Sequence, residues 1–232
     1  MIVIRRSAER GHVNRGWLDS YFTFSFADYY DERYMGFRAL RVLNDDRIEA
    51  GKGFGPHAHR DMEIITYMVE GHLMHRDSTG QRHVVGPNEV QTMSAGTGVV
   101  HSEFNASEVE ASHSIQIWIE PSAEDFPPSY QQIAFSSADK RGRLLPIAGP
   151  DNAATIIHQD ARLYASELLP NERTTHSLSP GRHAYIHVVR GDALINGQQL
   201  HSGDGAALSE EAAIAFAGAG ETGGEFLLFD LH

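Results

Sequence analysis

Short apolar runs broken by turn residues make up most of the chain. "RALRVLND" (38–45), "EIITYMVEG" (63–71), "HSIQIWIEP" (113–121), "YIHVVRGDALING" (185–197) and "EFLLFDL" (225–231) are rich in β-branched and aromatic residues. Gly, Pro, Asn and Asp separate them, which predicts strands of a β-sandwich or barrel. In "SIQIWI", Ile115, Ile117 and Ile119 alternate with Gln116 and Trp118, the period of a half-buried strand. Helix signals are few, and "SAEDFPPSYQQIAF" (122–135) is expected to supply one turn or two. The 22 glycines are spread along the chain, as tight turns require, so the reading is all-β.

The pattern also divides. The polar, turn-rich segment "SSADKRGRLLPIAGPD" (136–151) predicts a boundary between domains at 1–135 and 136–232. The two halves share a rhythm: "TYMVEGHLMHRDSTG" reads like "IHVVRGDALINGQQL", and "PNEVQTMSAGTGVVH" like "SGDGAALSEEAAIAF". Two copies of one β unit would produce this order.

Composition narrows the chemistry. The absence of cysteine excludes disulfides, iron–sulfur clusters and thiolate metal sites, so a metal would be held by nitrogen and oxygen. With 19 basic and 31 acidic residues the net charge is −12, and no Lys/Arg cluster stands out. Direct nucleic-acid binding is therefore not expected. The N-terminus turns polar after four residues, too short an apolar run for a secretory leader. No segment approaches the roughly 20 apolar residues of a membrane span, so a cytoplasmic location is expected.

The candidate chemistry lies in "GFGPHAHRDMEI" (53–64) and "GTGVVHSEF" (96–104). On an extended chain His57, His59, Asp61 and Glu63 share one face, and His101 and Glu103 share another. Two such strands side by side would present three imidazoles and a carboxylate to one interior point. That donor set suits iron, nickel, manganese, copper or zinc, and the carboxylate could also take a proton. An isolated H-x-H pair carries little weight, and the chain has 14 histidines; the joint spacing with glycine turns raises these candidates. His72 and His75 are expected at the surface, and Glu70 at a strand end.

These residues carry a resemblance. Gly51 to Gly71 resembles the first cupin motif, Gly-x5-His-x-His-x3-Glu, and Gly98 to His101 the Gly-x2-His core of the second. More narrowly, residues 16–80 and "VQTMSAGTGVVHSEFN" (90–105) resemble the pirin family, nearest to its bacterial quercetin 2,3-dioxygenase-like members. The resemblance is dense over 11–120 and looser to the C-terminal "LLFDL". It implies a bicupin, two face-to-face jelly-roll β-barrels, with one divalent transition metal in the N-terminal barrel. The ligands it implies are His57, His59, His101 and Glu103, while Glu63, the usual carboxylate in other cupins, is left beside the pocket. Family members often have proline between the first two histidines; here Ala58 stands, with its side chain expected to point away from the metal.

The resemblance implies iron(II) first, with nickel, cobalt, manganese, copper or zinc compatible. It implies a dioxygenase that opens the heterocyclic ring of a flavonol such as quercetin with O2 and releases carbon monoxide, Glu103 acting as base. A second reading is a pirin-like regulator working through a protein partner, the metal being structural or redox-sensing. A structural zinc site is a third. Aligning the halves on Gly71 and Gly191, and on their later strands, sets Ser177, Ser179, Phe216 and Gly218 opposite the four ligands, so the C-terminal domain is expected to lack a metal.

Overall fold

The computed structural model describes residues 1–151 and 153–232. The chain forms two compact units, one of Gly11–Ala134 with Thr155–Gln159, the other of Met1–Arg10, Phe135–Ala154 and Asp160–His232. Strands dominate both, as the alternating and β-branched runs predict.

The first strand, β1 (Ile2–Arg5), belongs to the second of these units. The remaining strands of the N-terminal half are β2 (Gly11–Asn14), β3 (Leu18–Phe22), β4 (Leu40–Ile48), β5 (Gly53–His59), β6 (Glu63–Glu70) and β7 (Leu73–Asp77). They continue with β8 (Arg82–Val85), β9 (Glu89–Ser94), β10 (Val99–Asn105), β11 (Ser112–Ile119) and β12 (Ser129–Ala134). Seven form an antiparallel sheet in the order β12-β9-β6-β11-β4-β3-β2, and four form a second sheet, β5-β10-β7-β8. Ile115, Ile117 and Ile119 on β11 are at most 1% exposed. The opposite face of that strand, Gln116 and Trp118, lines a cavity.

In the C-terminal unit the long strand Ala213–Leu231 is the organiser. Its second half pairs with Ala161–Leu168, its first half with Arg173–Ser177, and His183–Ile195 runs along both. Ile186, Val188, Ile195, Leu208, Phe216, Phe226 and Leu228 close a continuous apolar core there.

Two expectations are corrected. The first ten residues do not join the N-terminal unit, as a division at 1–135 supposes. β1 instead runs antiparallel to Gly205–Leu208, from Ile2↔Leu208 to Arg5↔Gly205. Met1 and Arg6 add charged contacts to Glu211 (2.6 Å) and Asp204 (2.7 Å). Nor does 122–135 supply a helix: Pro127 and Pro128 lack donors, and β12 follows them. The short helix α1 (Ser137–Lys140) lies just beyond, capped by reciprocal bonds between Ser136 and Asp139.

The repeat read from the sequence has a backbone counterpart. Gly71 follows β6 and Gly191 interrupts His183–Ile195 at a register shift, with φ of +68° and +67°. A Cβ at Gly71 would meet the Ser112 backbone at 2.8 Å, and one at Gly191 the Gly223 carbonyl at 2.0 Å. Only glycine combines that φ with so close an approach.

Candidate metal centre

β5 and β10 bring the histidines together. They pair antiparallel with His101 opposite His57 and His59 opposite Val99. The register slips between His101 and Glu103, because β5 sets two residues, Gly55 and Pro56, against the single Ser102 of β10 before Phe54 faces Glu103. The entry to β10 depends on the glycine turn. A Cβ at Gly96 would fall 1.8 Å from the Phe126 carbonyl oxygen, and the Gly96 carbonyl accepts the Asp61 amide at 2.9 Å.

Ring centroids lie 4.8 Å apart for His57 and His59, 4.4 Å for His57 and His101, and 4.9 Å for His59 and His101. Their candidate ligand nitrogens all fall within 4.8 Å of one another. Burial, then the neighbouring His57, pulls the His59 pKa down to about 4. Burial, then the facing imidazoles, pulls His101 to about 3. Both rings are thus neutral at neutral pH and carry the lone pair a metal needs. His101 Nε2 is buried without a hydrogen-bond partner, as a nitrogen reserved for an ion would be. A cysteine-free set of imidazoles and a carboxylate, with one orphaned nitrogen, fits a divalent transition metal.

Glu103 is buried beside His101 but groups with His101 and His75 rather than with His57 and His59. A polar row across the seven-stranded sheet holds it. Asn44, Gln116, Thr66 and Gln91 stand in register on β4, β11, β6 and β9. Gln91 Nε2 donates to Glu103 Oε1 at 2.5 Å and Gln116 Nε2 to Oε2 at 2.9 Å. Burial raises the Glu103 pKa against the opposing pull of His75 and these amides.

The cluster opens onto a cavity of about 400 Å³. Trp17, Phe22, Phe26, Phe54 and Trp118 supply aromatic walls; Arg15, Ser20, Asn44 and Asp46 supply polar positions. Burial, aided by Asp45 and Glu103 and opposed by the bond from Ser20, pushes the Asp46 pKa up to about 7.

Other expected positions fall elsewhere. Asp61 does not continue the His57–His59 face: its φ of +45° turns the chain, and its carboxylate accepts the Asp125 amide at 2.7 Å. Glu63 accepts Ser94 Oγ at 2.6 Å and faces His158 Nδ1 at 3.1 Å. Ala58 is exposed, so its side chain does point away from the rings, and His72 is exposed as expected. His75 is not at the surface. It is fully buried on β7, opposite Glu103, with Nδ1 3.5 Å from His101 Nδ1 and Nε2 3.0 Å from Asp77 Oδ2. The clue lay in "LMHRD": Leu73, His75 and Asp77 share one face, and an apolar leader marks that face as inward.

A β unit with clustered histidines opening onto a cavity, together with a second β unit, defines a protein of two cupin domains. The pirin family pattern matches residues 3–119, and the quercetinase C-terminal cupin domain pattern matches 147–231. Quercetin 2,3-dioxygenase of Escherichia coli K12 is 47% identical over 231 residues, covering 100% of this chain and 99% of that protein. A pirin-like protein of Caulobacter vibrioides is 40% identical over 207 residues, covering 88% and 89%. The crystal structure of the bacterial pirin YhhW from E. coli in complex with nickel(II) superimposes with a TM-score of 0.93 at 46% identity, covering 100% of this chain and 99% of that one. The chain belongs to the pirin family. Among the described residues no helix is long and apolar enough to cross a membrane.

Proposed function

We propose that this protein is a metal-dependent dioxygenase that cleaves the heterocyclic ring of a flavonol with O2 and releases carbon monoxide. The observation that carries the reading is the cluster of imidazoles at the mouth of an aromatic-walled cavity, with Glu103 buried beside it. His57, His59 and His101 would hold one divalent transition metal, with Glu103 as the carboxylate ligand; iron(II) is the first metal to test, nickel the second. Bound there, the metal supplies Lewis acidity toward a substrate oxygen and redox chemistry toward O2.

The protein's own part follows from its side chains. Trp17, Phe54 and Trp118 offer flat apolar surface to an aromatic ring system and keep bulk water from it. Glu103, its carboxyl pKa raised by burial, accepts the proton of the flavonol 3-hydroxyl. Gln91 and Gln116 hold both carboxylate oxygens, so the base keeps its orientation as its charge changes.

The test is turnover of quercetin by metal-reconstituted protein. A ring-opened depside and carbon monoxide are expected, with both atoms of one labelled O2 in the organic product. Failure to exceed the free ions with iron, nickel, cobalt, manganese or copper, on quercetin and related flavonols, would overturn the reading and leave a pirin-like regulatory role as its successor.

A further inference from the structure

His75 and Asp77 lie behind the histidine cluster. Their side chains are 0% and 1% exposed, so water does not supply their hydrogen bonds. Asp77 ends β7 with its carboxylate fully engaged. Oδ1 accepts from the Thr79 amide (2.9 Å), Thr79 Oγ1 (2.6 Å) and the Gln81 amide (3.1 Å), while Oδ2 faces His75 Nε2 at 3.0 Å. The other nitrogen of His75 faces His101 Nδ1 at 3.5 Å, a long contact at the limit of hydrogen bonding.

Counting protons along this line fixes each ring. A carboxylate only accepts, so His75 must carry its proton on Nε2. With one ring proton on His75 as the premise, its Nδ1 is then an acceptor. The proton between the two rings must come from His101 Nδ1, which leaves His101 Nε2 bare. That is the buried nitrogen without a partner. We infer that Asp77, acting through His75, is a positioning residue that sets the tautomer of His101 and so keeps Nε2 free to bind the metal. The inference rests on the reading of His101 as a ligand. It gives the buried His75 a role: a carboxylate–histidine pair behind a ligating histidine fixes ring orientation and raises ligand basicity.

Asp77→Asn tests it with little change of shape. The amides of Thr79 and Gln81 need an acceptor, so the new amide oxygen stays on their side and its NH2 group turns to His75. A donor at Nε2 moves the His75 proton to Nδ1, and His101 then carries its own proton on Nε2, which must be displaced before a metal binds there. In the metal-stripped parent, 15N imidazole spectra should show His101 protonated on Nδ1; in Asp77→Asn the proton should move to Nε2. Nickel(II) and cobalt(II) titrations should weaken about 10- to 100-fold with the far-UV spectrum unchanged. His75→Gln keeps a donor toward Asp77 and an acceptor toward His101, and should hold affinity within about threefold of the parent.

His101 protonated on Nε2 in the stripped parent would overturn the inference, and that result needs no variant to fold. An unchanged His101 spectrum and unchanged affinity in Asp77→Asn would overturn it equally. If the parent binds no metal at all, the ligand reading fails instead, and the parent spectrum still decides the tautomer.

Discussion

The two units use one strand–glycine–strand design and fill it differently. In the N-terminal unit His101 lies between His57 on β5 and Asp77 on β7. In the C-terminal unit Phe216 has the corresponding place, between Thr174 on one neighbour and Ile195 on the other. Phe216 stacks on Phe226 at 4.8 Å and belongs to a closed apolar core. The N-terminal unit keeps a row of amides and hydroxyls in register, carries a carboxylate on it and leaves a cavity of about 400 Å³. A packed interior stabilises, whereas a polar, partly open one is retained for binding. Strand pairing also corrects the alignment of the halves. Thr174 and His176, not Ser177 and Ser179, stand where His57 and His59 do, and His176 Nε2 is held by Asp230 at 2.7 Å.

The largest expected effect separates the units outright. His101→Ala or His57→Ala should take the metal content from about one ion per chain to near zero while the fold is kept. Both candidate metal groups among the described residues lie in the N-terminal unit. Two ions per chain retained by the parent after extensive dialysis would end the contrast.

Glu103→Gln comes next. It keeps the shape but can accept from only one of the Gln91 and Gln116 amides, and it removes the charge and the base, so turnover should fall by ~100- to 10,000-fold, further than metal content does. Glu63→Gln should leave the metal in place, because Glu63 is engaged by Ser94 and His158. The assignment is wrong if Glu63→Gln empties the site and Glu103→Gln leaves it full.

Phe216→Ala probes the other side of the comparison. Truncating a buried phenylalanine usually costs about 3–5 kcal/mol. Urea unfolding should register that loss, while metal content per folded chain stays unchanged. A fall in metal content would mean that the C-terminal core supports the site.

What the sequence made legible was local. His57, His59 and His101 lie in two short motifs beside glycine turns, and the structure brings those three rings together. Alternation along β11 was readable too, but not that its polar face would meet Glu103. His75 was misread because its environment comes from three strands: β7 carries it, β10 brings His101 and β12 brings Tyr130, whose ring lies 4.7 Å away. Asp61 was misread because one left-handed residue ends the alternation on which the face rule depends. The destination of residues 1–10 was hidden for a similar reason: β1 pairs with a strand some 200 positions away, beyond any local pattern.

The smallest expected effect is a pH term confined to one unit. His101 has its pKa lowered from 6.5 to about 3 in the folded chain, and unfolding restores the higher value. Between those values the unfolded state binds more protons, so stability rises with pH and is lost as pH falls below about 6.5. Asp46 works in the opposite sense. Its raised pKa, about 7, means the folded state binds the extra proton, and its contribution is lost as pH rises through 7. The two partly cancel in the whole protein, so the comparison must be between metal-stripped parent and His101→Phe, in which the Asp46 contribution is common. Phenylalanine at 101 makes the N-terminal unit resemble its counterpart at that position. Moving from pH 7 to pH 5 should destabilise the parent more than the variant by up to about 2 kcal/mol in urea unfolding. Equal pH dependence in the two proteins would mean that His101 is not held neutral by the fold.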